Sequence, residues 1–134
     1  MRSETRSYDT SRSRFVDITS DIAGFVGDAD DDGLVNIFVP HATAGLALIE
    51  TGSGSERDLE QALDRLLPRD ADYVHSHGSP GHGADHLLPA FVAPSLTVPV
   101  VAGEMALGTW QSVVLVDLNR DNPERAVRFS MLQA

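Results

Sequence analysis

Runs suited to β-strands dominate this chain, and only two stretches carry a clear helical stripe. Residues 3–9 and 12–18 read as strands around a turn near Thr10–Ser11. A helix follows, with Thr19 or Ser20 as its cap and Asp21 in its first turn, where negative charge is favoured. Ile22, Phe25 and Val26 give it the i, i+3, i+4 spacing of a buried face. Leu34 to Val39 is a central strand stopped by Pro40, and ATAGLALIE continues as small-residue, apolar chain to Glu50. Small residues there permit close backbone approach to a ligand or a neighbouring subunit. The second helix is expected from Ser55, with Asp58 in capping-box position and Leu59, Leu63, Leu66 and Leu67 as its stripe, ending at Pro68.

Further on, Leu87, Leu88 and Phe91 suggest a short third helix with Pro89 near its start. Ser95–Val101, with Pro99 implying an edge or bulge, reads as a strand. Leu107–Asp117 and Arg125–Leu132 complete the strands. Helical crossovers are too few to join so many strands in parallel. The expected class is therefore α+β, a mainly antiparallel sheet with two principal helices and a short third one, in one domain spanning 1–134.

Charge and composition exclude several functions. The formal net charge is -10, which argues against binding nucleic acid through its phosphates. Every basic residue is Arg, so Schiff-base chemistry and a P-loop lysine are absent. Arg2, Arg6, Arg12 and Arg14 crowd the N-terminus, as a solvated edge strand or an arm that touches an anion. Cysteine is absent, which removes disulfides and thiolate ligands. The acidic run at 28–33 lacks EF-hand spacing and reads as a solvated turn. No apolar run is long enough to cross a membrane and no signal-peptide core opens the chain, so a cytoplasmic protein is expected.

The chemistry concentrates in YVHSHGSPGHGADHL. This stretch holds His75, His77, His82 and His86, four of the five histidines. Imidazole is the commonest protein metal ligand and titrates near neutral pH. His82 and His86 share a face if that part is helical, and His75 and His77 do if it is extended. Asp85 is placed to orient an imidazole. The fifth histidine, His41, follows the central strand. We expect His41, His75 and His86 to converge on one pocket, because each stands at a strand end or beside a glycine-rich loop. Glu50 closes an apolar strand, either solvent-exposed or held by a partner. Asp58 either caps the second helix or faces the site, and Trp110 is either a core residue or a stacking wall for the pocket. His77 reads as a surface residue. A divalent cation there, zinc or magnesium, would have to use His and carboxylate ligands.

HATAGLALIE, then Asp58, then YVH ending at His75, ADHL ending at His86, and VPVVAGEMALGTWQ together resemble the YjbQ family, over about Phe15 to Phe129. The resemblance implies a small α+β domain, usually a homotrimer, of unsettled physiological role. It also implies a weak or secondary thiamine-phosphate synthase activity, joining a thiazole phosphate to an aminopyrimidine diphosphate. Carried onto this chain, the shared polar positions are His41, Thr43, Glu50, Asp58, His75, His86, Thr109, Trp110 and Gln111. The resemblance thus implies catalytic roles for His41, Glu50, Asp58, His75 and His86, and substrate contacts for Thr43, Thr109, Trp110 and Gln111. The substrate would be a small phosphorylated or anionic molecule. His82 stands where the family usually has Asn, so it either adds a ligand or substitutes as a hydrogen-bonding group. A zinc-dependent hydrolase and a non-enzymatic metabolite- or metal-binding module are the alternatives, so whether the chain is an enzyme stays open.

Overall fold

A computed structural model describes residues 1–28 and 30–134. Ala29, within the acidic run at 28–33, lies outside the described residues. The strands are β1 (Arg2–Asp9), β2 (Phe15–Asp17), β3 (Gly33–Phe38), β4 (Gly45–Ile49), β5 (Ser95–Val101), β6 (Glu104–Met105), β7 (Ser112–Val116) and β8 (Glu124–Gln133). The helices are α1 (Thr19–Gly27), α2 (Ser55–Leu66) and α3 (His82–Phe91). The class is α+β, and every strand pair is antiparallel.

The strands divide into two sheets. The larger has the order β1-β8-β3-β5-β6 and the smaller β2-β7-β4. β7 explains how they stack. Its sequence SVVLV has no polar alternation, and both faces are covered. Val113 and Leu115 enter one core with Ile22, Phe25 and Val26 of α1 and Val35, Ile37 and Phe129 of the large sheet. Val114 and Val116 enter a second core with Leu63 and Leu67 at the end of α2, and Ala84 and Leu88 of α3. The small sheet therefore separates the large sheet from α2 and α3. Truncating Leu115, which is fully buried, to Ala would cost about 2–5 kcal/mol, the usual range for a collapsed-core leucine.

β8 alternates with period two. Val127, Phe129 and Met131 face the core, and the same parity carries Arg125 inward, where it is 2% exposed. Its partner is Asp117, just beyond β7 and 1% exposed. Asp117 Oδ2 accepts from Arg125 Nε at 2.6 Å and Thr10 Oγ1 at 2.7 Å, while Oδ1 accepts from Arg125 Nη2 and the Asn119 backbone N–H at 3.0 Å each. A buried ion pair is tolerated when its remaining lone pairs and protons are also satisfied, and this one is.

Several local expectations need correction. LGTWQ is not in a strand: β7 begins at Ser112, and Thr109–Trp110 form a turn. α1 has Ile18 at its cap position, and α2 has Gly54 (φ 100°), so neither the Thr19/Ser20 cap nor the Ser55–Asp58 capping box forms. Thr19 Oγ1 instead donates to Asp17 Oδ1 at 2.6 Å and accepts from Val113 N at 2.8 Å, tying α1 to β7. Leu66 is exposed, because the buried side of α2 passes through Leu63 and Leu67. The third helix is not short. It starts at His82, which leaves Pro89 inside it, where the ring removes a backbone donor. The small-residue stretch approaches its own chain where β4 begins: a Cβ on Gly45 would stand 1.9 Å from the Val92 carbonyl oxygen.

Candidate metal centre

α3 positions two of the site's histidines. Gly81 precedes it at φ 86°, a left-handed turn that a side chain would strain. A Cβ there would also collide with the Arg69 guanidinium. His82 and His86 then follow one helical turn apart on one face. The loop after α2 supplies His75. It is pinned by Tyr73, whose hydroxyl donates to the Pro68 carbonyl at 2.6 Å, and by Arg69, which donates to the Pro80 carbonyl at 3.2 Å. The loop crosses α3 at Gly83, where a Cβ would stand 2.6 Å from the His75 carbonyl oxygen. Glycine permits that crossing and so brings His75 onto the helix face.

His75, His82 and His86 each offer one ring nitrogen, and these three atoms lie within 4.8 Å of one another. His75 Nε2 and His82 Nε2 face each other at 2.9 Å. Two neutral imidazoles in that position need one proton between them, or a cation shared by both lone pairs. His77 packs its ring edge-on against His75, with centroids 4.3 Å apart, and stays exposed, the surface residue that the sequence suggested. An open cavity of about 370 Å³ lies beside the rings, lined in part by Arg69, Tyr73, His75, Ser79 and His82.

The groups behind the rings are arranged in order. His82 Nδ1 is buried and has no hydrogen-bond partner of good geometry, with Asp121 Oδ2 at 3.5 Å as its nearest carboxylate oxygen. Asp121 Oδ2 also accepts from Ser79 Oγ at 2.8 Å, and this hydroxyl, with help from His82 and Asn119, holds the carboxyl below its usual pKa. Asp85 makes no side-chain hydrogen bond to the rings among the described residues. It is 1% exposed, paired with Arg69, and accepts from Asn119 Nδ2 at 2.9 Å. Asp85 thus fixes α3 instead of orienting an imidazole. Partial desolvation lowers the pKa of His75, reinforced by His77, His86 and His82. Desolvation, then His82, lowers that of His86 against the opposing effect of Asp85. Both rings are therefore poised to be neutral near pH 7, the form that binds metal.

The chain does not bring His41 into this group. Its Nε2 accepts from the Ala126 backbone N–H at 2.9 Å, next to the Arg125–Asp117 pair. Burial, followed by the Arg125 charge, pushes its pKa down. Thr43 sits at the same pair and accepts from Arg125 Nη2 at 2.7 Å, so its hydroxyl completes the buried ion pair. Glu50 is exposed past the end of β4 and Asp58 is exposed in the first turn of α2. Trp110 is 72% exposed on its turn and does not line the cavity beside the histidines. Gln111 closes that turn, its Oε1 accepting from Gly108 N at 2.8 Å, and Thr109 is exposed beside it.

Asp117, Asn119, Asp121 and Arg69 escaped the reading of the sequence. Two signals were present. The parity of β8 points Arg125 inward and so demands a buried acid, and the apolar run of β7 ends on Asp117 in the segment DLNRD.

An antiparallel α+β domain with a three-imidazole cluster between a glycine-rich loop and a helix is the class that this fold and site define. The chain belongs to the YjbQ family: the model described as UPF0047 protein YjbQ-like matches residues 4–134. A UPF0047 protein of Mycobacterium tuberculosis is 62% identical over 133 residues, 99% of each chain. One from Methanothermobacter thermautotrophicus is 36% identical over 90% of this chain and 83% of its own. Among solved structures, a YbjQ-like protein of unknown function from Sulfolobus solfataricus superposes with a TM-score of 0.92 at 25% identity, covering 99% of this chain and 97% of that one. No helix among the described residues is long and apolar enough to cross a membrane.

Proposed function

We propose that this YjbQ-family chain is a zinc-binding protein that holds the ion through His75, His82 and His86 and hydrolyses a small substrate. The single observation that supports this is the set of three ring nitrogens within 4.8 Å of one another. Nitrogen donors favour zinc over magnesium, which prefers oxygen. Three protein ligands leave a position for water or substrate, as catalytic zinc sites do. The ion supplies a Lewis acid for water activation or for polarising a phosphoryl or carbonyl oxygen.

The chain's own residues have separate tasks in this reading. His82 presents Nε2 to the cluster and keeps its Nδ1 proton toward Asp121, the pairing that fixes tautomer and ring orientation. Ser79 holds Asp121 ionised for that purpose. Arg69 and Asn119 hold Asp85, and with it the first turn of α3. The His77 ring packs edge-on against His75 and braces that ring from the solvent side. A cytoplasmic setting, the expectation from the sequence, is part of this proposal.

The test is metal analysis of purified protein, followed by hydrolysis assays on simple esters and phosphoesters with and without a chelator. Stoichiometric zinc, and turnover that chelation abolishes and zinc restores, is the expected result. Turnover unchanged by chelation would end the hydrolase reading. The thiamine-phosphate synthase reading makes a separate demand. The same cation would offset charge on a departing diphosphate, so thiazole phosphate and aminopyrimidine diphosphate should yield thiamine phosphate with wild-type protein and not with His86→Ala.

A further inference from the structure

A larger cleft than the one beside the histidines lies elsewhere on the molecule. It encloses about 670 Å³, within the range of small-molecule sites, and lies between the segment after β1 and the segment after β7. Arg12 and Arg14 line it from the first segment, and Arg120 from the second. Glu60 and Asp117 are the acids on its walls, and both are engaged: Glu60 with Arg14 at 2.5 Å and Asp117 with Arg125. Arg12 and Arg120 have no ion-pair partner among the described residues; Asp9 is the acid whose field Arg12 feels. The Thr10 and Ser13 hydroxyls donate to neighbouring acceptors, Asp117 Oδ2 and the Phe15 carbonyl.

We infer that this cleft is a binding site for a phosphorylated small molecule, with Arg12 and Arg120 gripping the phosphoryl group from opposite walls. Two observations and one general property of arginine support the assignment. In a chain of net charge -10, Arg12 and Arg120 line one concavity with no ion-pair partner among the described residues. The planar fork of Arg matches phosphoryl oxygens two at a time. The acids that would repel an anion there are already neutralised by Arg14 and Arg125.

The site stands apart from the metal reading and does not depend on it, yet the two share a wall. Arg120 lines the cleft, while the next residue, Asp121, meets Ser79 and His82. Asn119 also lines the cleft and donates to Asp85 of α3. A phosphorylated ligand held at Arg120 would thus lie against the segment that positions the imidazole cluster.

The experiment is calorimetric titration of the full chain with inorganic phosphate and pyrophosphate, with backbone amide shifts followed by NMR. Saturable binding is expected, with the largest shifts at Ser11, Arg12 and Arg120. The Arg12→Ala/Arg120→Ala double variant should bind at least about tenfold more weakly, since hydrogen bonds to charged groups exceed that increment. Its melting temperature without phosphate should be unchanged, because both side chains are at the surface. His75→Ala/His86→Ala should bind phosphate as wild type does, which separates this site from the metal centre. Absence of saturable binding by wild-type protein would overturn the inference. So would binding lost in the histidine variant and kept in the arginine variant, or shifts centred on residues 75–86.

Discussion

Asn119 donates its side-chain amide to Oδ2 of Asp85 across 2.9 Å, and Asp85 is 1% exposed. This bond joins the segment after β7 to the first turn of the helix that carries His82 and His86. Without it, Asp85 keeps only Arg69, on the solvent side. Asn119→Ala should therefore lower stability by about 1–3 kcal/mol, the penalty for an under-satisfied buried acceptor. Urea denaturation checks it, and a loss below ~0.3 kcal/mol would mean that water replaces the amide.

Metal affinity should separate the ligands from the residues behind them. His75→Ala and His86→Ala are each expected to lose stoichiometric zinc on dialysis. Asp121→Asn should retain the ion but bind it roughly 10–100-fold more weakly, the usual effect of removing a carboxylate that orients a ligating imidazole. Competition with a chromophoric chelator measures both. Wild-type affinity in His86→Ala would refute the three-histidine assignment.

Protons compete for the same nitrogens. The pKa values of His75 and His86 are both pushed below 6.5. Zinc affinity should accordingly change little between pH 8 and 6.5 through these groups, and fall once pH drops through their lowered values. A decline already complete above pH 6.5 would contradict this.

His41 gives a stability signature. Its folded-state pKa lies below the ordinary 6.5 because burial and the Arg125 charge disfavour the imidazolium. Between the lowered value and 6.5 the unfolded chain binds more protons, so stability rises with pH across that window and is lost as pH falls through it. NMR titration of the His41 ring should give the lowered value directly. His41→Gln should flatten the pH dependence of the melting temperature in the window just below pH 6.5.

We expect a homotrimer, and the outer face of the large sheet is where its contact should be sought. Leu34, Pro99, Val101 and Leu132 line an open apolar depression there, with Leu34 at 44% and Leu132 at 58% exposure. Leu132→Glu should yield monomers by light scattering at micromolar concentration. A wild-type monomer would remove the trimer.

The strands of the large sheet were legible because alternation reports a face: Val127, Phe129 and Met131 occupy the core as their spacing demands. The helix stripe Ile22, Phe25 and Val26 is buried for the same reason. Residue order also named the family, since a match from residue 4 to 134 is carried by motifs that need no coordinates. Boundaries were less legible. α3 begins at His82 because Gly81 adopts a left-handed conformation against Arg69, a contact between residues twelve apart that no local pattern encodes.

The chain's histidine density was enough to single out the stretch between Tyr73 and Leu87 as the place where ring nitrogens gather. Which histidines converge was decided by tertiary structure. His82 joins because helical geometry puts it one turn from His86, and His75 joins because its loop crosses α3 at a glycine. His41 is drawn away to the Ala126 N–H beside a buried ion pair. That pair unites Asp117, just beyond β7, with Arg125 of β8, and the cleft unites Arg12 and Arg120 across more than a hundred residues. Sequence periodicity reports which face a side chain takes within its own element. It carries no information about which distant face will be brought opposite, and that is set by how β7 is buried between the two cores.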